Sequence, residues 1–271
     1  MDYKTINPGP DLTPFVRCYW TLEAANEPDP QKQRILPDGC MEMIFHYGDL
    51  YKQYSEDGSS IIQPKCFVFG QLTKPLDIQP TGRTGIFAVR FNPDGFVPFV
   101  TASPDTIENR AATLKELFGN DGAQLQNDIL AAGTTANRVE IIETFLSGRA
   151  VAAESIDRII QSTITTMVTL NGKLPVSDIS KKLNVNRRQL ERRFAAVIGL
   201  SPKQLSKIIR LQAAVKMLMD DRPESLTSIA YEGNYYDQAH FIKDFKEFTG
   251  VSPKRFYSGG FKMSALFQSM E

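Results

Sequence analysis

Histidine and cysteine are scarce in this chain, with two of the first and three of the second among 271 residues. The cysteines, Cys18, Cys40 and Cys66, are odd in number and lack C-x-x-C spacing. That excludes a disulfide framework and a cysteine zinc site, leaving reduced thiols that act as small buried apolar residues. His46 and His240 lie far apart in the sequence, too few for a metal centre, so no metal and no cofactor is expected. Also missing is any run of about 18 or more apolar residues, the minimum for a membrane span. The opening MDYKTINPGPDL has no basic stretch followed by an apolar one. A cytoplasmic chain with no membrane partner is therefore expected. G-x-S-x-G, G-x-x-x-x-G-K-[ST] and a strand-borne G-x-G-x-x-G are absent too. An enzyme is not expected; the alternative is an enzyme with a β-barrel active site and an appended DNA-binding module.

Net charge is zero, with 31 Lys/Arg against 31 Asp/Glu, but the sum hides a division. Residues 172–271 hold 17 Lys/Arg against 10 Asp/Glu, and residues 1–171 hold 14 against 21. A basic module joined to an acidic one points to a polyanion as partner of the first.

Within the basic half the sequence repeats. LERRFAAVIGLSPK (190–203) aligns with FIKDFKEFTGVSPK (241–254), pairing Phe194 with Phe245, Gly199 with Gly250, and Ser201-Pro202-Lys203 with Ser252-Pro253-Lys254. Upstream, Ile179 matches Ile229, Ser180 matches Ala230, and Asn184 matches Asn234. Each copy reads as helix, turn, helix. Asn184 and Asn234 suit the left-handed turn, and Asn186 and Asp237 suit the caps of the following helices. Gly199 and Gly250 then stop those helices, and Ser-Pro opens the next.

On a helical wheel Leu190, Phe194, Val197 and Ile198 form an apolar face, with Arg188, Arg192, Ala195 and Ala196 pointing away. In the second copy Phe241, Phe245 and Phe248 face inward, and Ala239, Lys243 and Lys246 outward. Small alanines between long cations allow close approach to a surface. From Ser201-Pro202 to about Met219 there is no breaker, which predicts a helix about 27 Å long. That is of the order of the roughly 34 Å repeat of B-DNA, so one chain could set two helices in successive major grooves of double-stranded DNA.

Residues 176–258 resemble the DNA-binding domain of the AraC/XylS family of bacterial transcription regulators. Carrying the resemblance are Ile179, Leu183, Leu190, Phe194 and GLSPK (199–203), then SIA (228–230), DQAHF (237–241), Phe245 and GVSPKRF (250–256). It implies base reading by Arg188, Glu191 and Arg192 in the first unit and by Gln238, Ala239 and Lys243 in the second. Side-chain chemistry agrees for several: Arg is matched to guanine, Gln to adenine and Glu to cytosine. Lys246 is expected on the DNA side, with the caps Asn186 and Asp237 near phosphates. The family usually has Gly where this chain has Asn184 and Asn234, and Ala where it has Ser180; Asn tolerates the backbone and Ser is small. Ala239 forgoes a polar base contact, leaving the first unit to dominate specificity. The resemblance further implies RNA polymerase as a partner.

The acidic half begins differently. FVRCYW (15–20), CMEMIFHY (40–47), CFVFG (66–70) and GIFAVRF (85–91), separated by turn signals, predict an antiparallel β barrel or sandwich. Helical patterns follow, as in IENRAATLKELF (107–118) and NRVEIIETFL (137–146). The fold class is thus α+β: a β-rich sensor domain over 1–100, a helical linker and dimerisation segment over 101–170, an all-α domain over 171–258 with two helix-turn-helix units joined by a long helix, and a tail over 259–271. This arrangement is similar to the cupin-like sensor halves of the same family. LPDGCMEMIF (36–45) and FAVRFNPDGF (87–96) also resemble a subgroup whose N-terminal domain is uncharacterised. The resemblance implies small-molecule sensing by the barrel. Arg17, Glu42, His46 and Arg90 are the candidate pocket residues, Glu42 and His46 sharing a strand face. The apolar repeat Val139, Ile142, Leu146 is expected to dimerise the chain or to dock on the basic domain.

Overall fold

The strand Thr84–Phe91 is buried along its whole length, and that continuity explains the layering of the N-terminal half. In the computed structural model, which describes residues 1–100, 103–149, 157–219, 225–233 and 235–257, two antiparallel sheets pack together. The strands are β1 (Asp2–Ile6), β2 (Val16–Ala24), β3 (Gln33–Ile35), β4 (Glu42–His46) and β5 (Tyr51–Tyr54). Then come β6 (Ser60–Ile62), β7 (Cys66–Phe69), β8 (Leu76–Pro80), β9 (Thr84–Phe91) and β10 (Ala111–Thr113). One sheet runs β1-β2-β9-β4-β7-β10 and the other β3-β8-β5-β6.

Alternation along each strand of the larger sheet feeds two cores at once. Tyr19, Met43, Phe45, Val68, Phe87, Val89 and Phe91 point into a core closed by the helices α1 (Leu114–Ala131) and α2 (Thr135–Ser147). Trp20, Leu22, Phe67, Phe69, Ile86 and Ala88 point the other way, against Tyr51, Leu76 and Ile78 of the smaller sheet. Because both faces are covered, β9 reads as a mostly apolar run, interrupted within by Arg90.

The helix expected at 107–118 begins later. Residues Ala111–Thr113 are a strand paired with β7, and the helix starts at Leu114, where Thr113 accepts the amide of Glu116. Asn109, at φ 55°, turns the chain before it. Gly119, at φ 61°, breaks α1 internally.

The face of α2 expected to dimerise is spent on the chain's own barrel. Ile142 and Leu146 are fully buried in the first core, and Val139 packs against it. Helix α3 (Arg158–Thr169) instead gives Ile160, Ile164 and Met167 to a separate core, that of the C-terminal half.

That half is all helical: α4 (Val176–Lys182), α5 (Arg187–Ile198), α6 (Pro202–Met219), α7 (Leu226–Glu232), α8 (Gln238–Thr249) and α9 (Pro253–Tyr257). Leu205, Ile208, Leu211, Ala214, Val215 and Leu218 line the buried side of α6, and Phe194, Phe241 and Phe245 pack in the same core. At 18 residues α6 is about 27 Å long. A reciprocal box starts it: Gln204 N donates to Ser201 Oγ (3.2 Å), and Ser201 N to Gln204 Oε1 (2.9 Å).

Candidate nucleic-acid interface

Helices α5 and α8 are each twelve residues long and are bounded in the same way. Asn186 Oδ1 accepts the amide of Gln189, and Asp237 Oδ1 that of His240. Gly199 and Gly250 close the helices at φ 79° and 76°, conformations that cost an L side chain energy. Asn184 takes the left-handed turn, at φ 51°, whereas Asn234 lies outside the described residues.

The outward residues stand where the wheel puts them. Arg188, Arg192, Gln238, Ala239, Lys243 and Lys246 are exposed, as are both caps, while Leu190, Phe194, Phe241, Phe245 and Phe248 are buried. The arginines of α5 divide by partner. Arg187 Nε bonds Glu191 Oε1 at 2.9 Å, and Arg193 bridges to Asp157, the cap of α3. Arg188 and Arg192 have no ion-pair partner among the described residues, which leaves both guanidinium groups available to an external acceptor. Glu191 is half-buried and already paired, so a base edge would have to share it with Arg187.

A buried carboxylate ties α8 to α6. Asp244, 3% exposed, accepts from Lys207 Nζ at 3.0 Å, with His240 Nε2 at 3.5 Å and Arg210 Nη2 at 3.9 Å from its other oxygen. The ring of His240 meets Tyr235 edge-on and remains partly exposed. On the helical wheel Asp244 falls among Phe241, Phe245 and Phe248, a lone charge on the apolar face. Only packing makes it the junction between the long helix and the second unit.

The four pocket candidates of the acidic half separate. Glu42, His46 and Arg90 line one cavity of about 60 Å³ between the sheets, with Trp20, Tyr51 and Phe69. Arg17 is exposed and instead lines a cleft of about 710 Å³ between the two halves of the chain, opposite α3 and α6. Strand register assembles the inner cluster: Arg90 lies opposite Glu42 on one side and Cys18 on the other. Trp20 Nε1 donates to Glu42 Oε1 at 3.2 Å, and Arg90 Nη1 reaches the same oxygen at 3.4 Å. Burial pushes the Glu42 carboxyl up to about 7 and the His46 imidazole down to about 4. His46 stacks on Tyr51, and neither ring nitrogen has a hydrogen-bond partner; Gln63 lies close without completing a bond.

Sequence reasoning missed Asp38, which forms an ion pair with Arg90 Nη2 and lines both the inner cavity and the cleft. PDG (37–39) signals only a turn. The three thiols are free, Cys40 and Cys66 buried and Cys18 partly so.

Two family models match the chain: a domain of unknown function (DUF6597) over residues 4–113, and a helix-turn-helix domain over residues 179–258. Among curated proteins, the HTH-type transcriptional regulator MtrA of Neisseria gonorrhoeae is 36% identical over 77 residues, 28% of this chain and 25% of that protein. The Msm operon regulatory protein of Streptococcus mutans is 32% identical over 85 residues, 31% of this chain and 30% of that one. The chain thus spans less than a third of the length of these relatives. Among solved structures, ToxT of Vibrio cholerae covers 89% of this chain and 98% of its own, at 12% identity and TM-score 0.47. The DNA-binding domain of AdpA, solved with a target DNA, covers 38% and 91%, at 20% identity and TM-score 0.34. Residues 179–258 are accordingly an AraC-type helix-turn-helix domain, carried on the same chain as a DUF6597 domain.

Proposed function

We propose that this chain is a bacterial, cytoplasmic transcriptional regulator that reads double-stranded DNA in the major groove with α5 and α8, under control of a small molecule sensed by the β domain. One observation carries the reading: two helices of equal length and matched caps expose cations that are unpaired among the described residues, and an 18-residue helix runs between their units. In this reading Arg188 and Arg192 bind base edges, Gln238 and Lys243 read the second half-site, and Ala239 packs against a base or sugar. Lys246 and the helix starts at Asn186 and Asp237 hold phosphates and fix register. Glu191 orients Arg187 and accepts from cytosine only when that pair opens. Glu42, His46 and Arg90 form the inner sensing site, and Arg17 belongs to the cleft outside it. RNA polymerase is the partner through which binding acts, and a homodimer would need a surface other than the buried face of α2.

Selection of bound genomic fragments at fixed salt, followed by titration of the recovered site, tests the reading. Arg192→Ala is expected to weaken that site by about 1–3 kcal/mol and to relax preference at one base pair. Lys246→Ala should weaken all sequences alike and lower the salt slope by about one. Equal retention of every duplex by the parent protein would refute sequence-specific reading.

A further inference from the structure

The inner cavity and the DNA-binding half are joined by one short loop, residues 36–41 between β3 and β4. Its first residue, Leu36, is 1% exposed and belongs to the core of the C-terminal half. The Pro37 carbonyl accepts from Gln212 Nε2 of α6 at 2.5 Å. Asp38 turns back to Arg90. Gly39, at φ 80°, lies so near α6 that a β-carbon there would stand 2.6 Å from Leu205 Cδ1. Just before the loop, Arg34 Nη1 donates to the Thr249 carbonyl at the end of α8, at 3.0 Å. Arg34, Pro37 and Gly39, in the smaller sheet and its exit, thus touch α6 and α8, the two helices that set the geometry of the DNA-binding units.

The unmet hydrogen bonds of the cavity define what it would hold. Arg90 Nε and both ring nitrogens of His46 are buried without partners, although Arg90 already faces Asp38 and Glu42. Two carboxyl groups beside one guanidinium disfavour a further anion, and a cation would have to take those carboxyls from Arg90. A neutral imidazole offers one donor and one acceptor, and Arg90 Nε offers a donor. The complement is an uncharged molecule with an acceptor at one end and a donor–acceptor pair at the other. About 60 Å³ accommodates roughly four to six water-sized positions, the size of an azole or a primary amide. Trp20, Tyr51 and Phe69 give it flat apolar walls.

We propose that a small uncharged azole- or amide-like ligand binds between His46 and Arg90 and, by turning Arg90 away from Asp38, loosens the Leu36–Gly39 loop from α6. Nε–H and Nη2–H share one edge of the planar guanidinium, so a ligand that accepts from Nε competes with the Asp38 carboxylate for that edge. Asp38 stands two residues from Leu36, and its release weakens the seating of that side chain. This deepens the sensor reading and rests on it, independently of whether α5 and α8 bind DNA.

The test uses the full-length chain with pyrazole and acetamide as probes and acetate and ethylammonium as contrasts. Binding is followed by saturation-transfer NMR, and backbone hydrogen exchange over 205–212 reports the state of the loop. Pyrazole or acetamide should bind saturably and acetate and ethylammonium should not. His46→Leu, with folding checked by near-ultraviolet circular dichroism, should weaken the probe about tenfold through its lost hydrogen bonds. Saturating probe should speed exchange over 205–212 by about tenfold as that segment opens locally. Asp38→Asn should show the faster exchange without probe and no further gain with it. Preference for acetate or ethylammonium, no binding of any probe, or binding with unchanged exchange would each overturn the proposal. DNA retention is measured in parallel: its loss with an intact probe response refutes the regulator reading and leaves this one standing.

Discussion

His46 shows at the scale of a residue how a side chain that sequence alone leaves ambiguous acquires a definite role. Position 46 alternates with apolar neighbours on β4, which fits a pocket or a solvent-facing strand equally well; the second sheet, invisible in the local pattern, settles the matter by covering it. Burial holds its imidazole near 4 against 6.5 when exposed, so the unfolded chain binds a proton between those values and the native one does not. The contribution of His46 to stability is therefore complete above pH 6.5 and is lost as the pH drops towards 4, by up to about 3 kcal/mol, while the raised Glu42 carboxyl acts in the opposite sense between about 4.5 and 7. Denaturant unfolding of His46→Leu across this range should show that portion of the slope removed; an identical slope in the variant would mean that the ring is not the titrating group. Arg17 is the opposite case. It shares strand composition with the inner cluster but points to the cleft, and a bulge between Val16 and Cys18 breaks the alternation that sequence reading relies on.

Among elements, those with a strong internal pattern were legible and the others were not. Strands β2, β4, β7 and β9 announce themselves as apolar runs between turn signals. DYKTI, QRI, YKQY, SII and LDIQP are short and half polar, and they lie in the smaller sheet or at an edge, where one face meets water. Helices α5 and α8 could be located from caps, stops and phenylalanines because each device acts within a few residues. The caps also carry a testable cost. Asn186→Ala should lower stability by about 1 kcal/mol and fray the turn bearing Arg188, seen as faster amide exchange at Gln189. Asn186→Asp keeps the acceptor and should retain both stability and protection; equal loss in the two variants would show that the side-chain bond does not matter.

The whole molecule is organised by three cores that do not coincide with the sequence boundaries expected for it. The segment between barrel and basic domain divides, α1 and α2 joining the first core and α3 that of the C-terminal half. Sequence periodicity marks which face of a helix is apolar but not which partner covers it, so α2 was legible as amphipathic while its destination was not. A long-range consequence can be measured. Leu36→Ala, a change in the β domain, should destabilise by about 2–4 kcal/mol through the cavity it leaves in the helical core. Exchange should accelerate first over 205–211; if protection fell only in the β strands, Leu36 would not be seated as described.

Leu36 also limits how freely the two halves can be exchanged. A gene fragment beginning after the barrel would encode a helical bundle with an empty socket where Leu36 sits, and a chimera with a foreign sensor would need a leucine delivered at the same place. Recombination that respects only the apparent linker would therefore produce chains that carry every recognition residue and still lack one piece of their own interior.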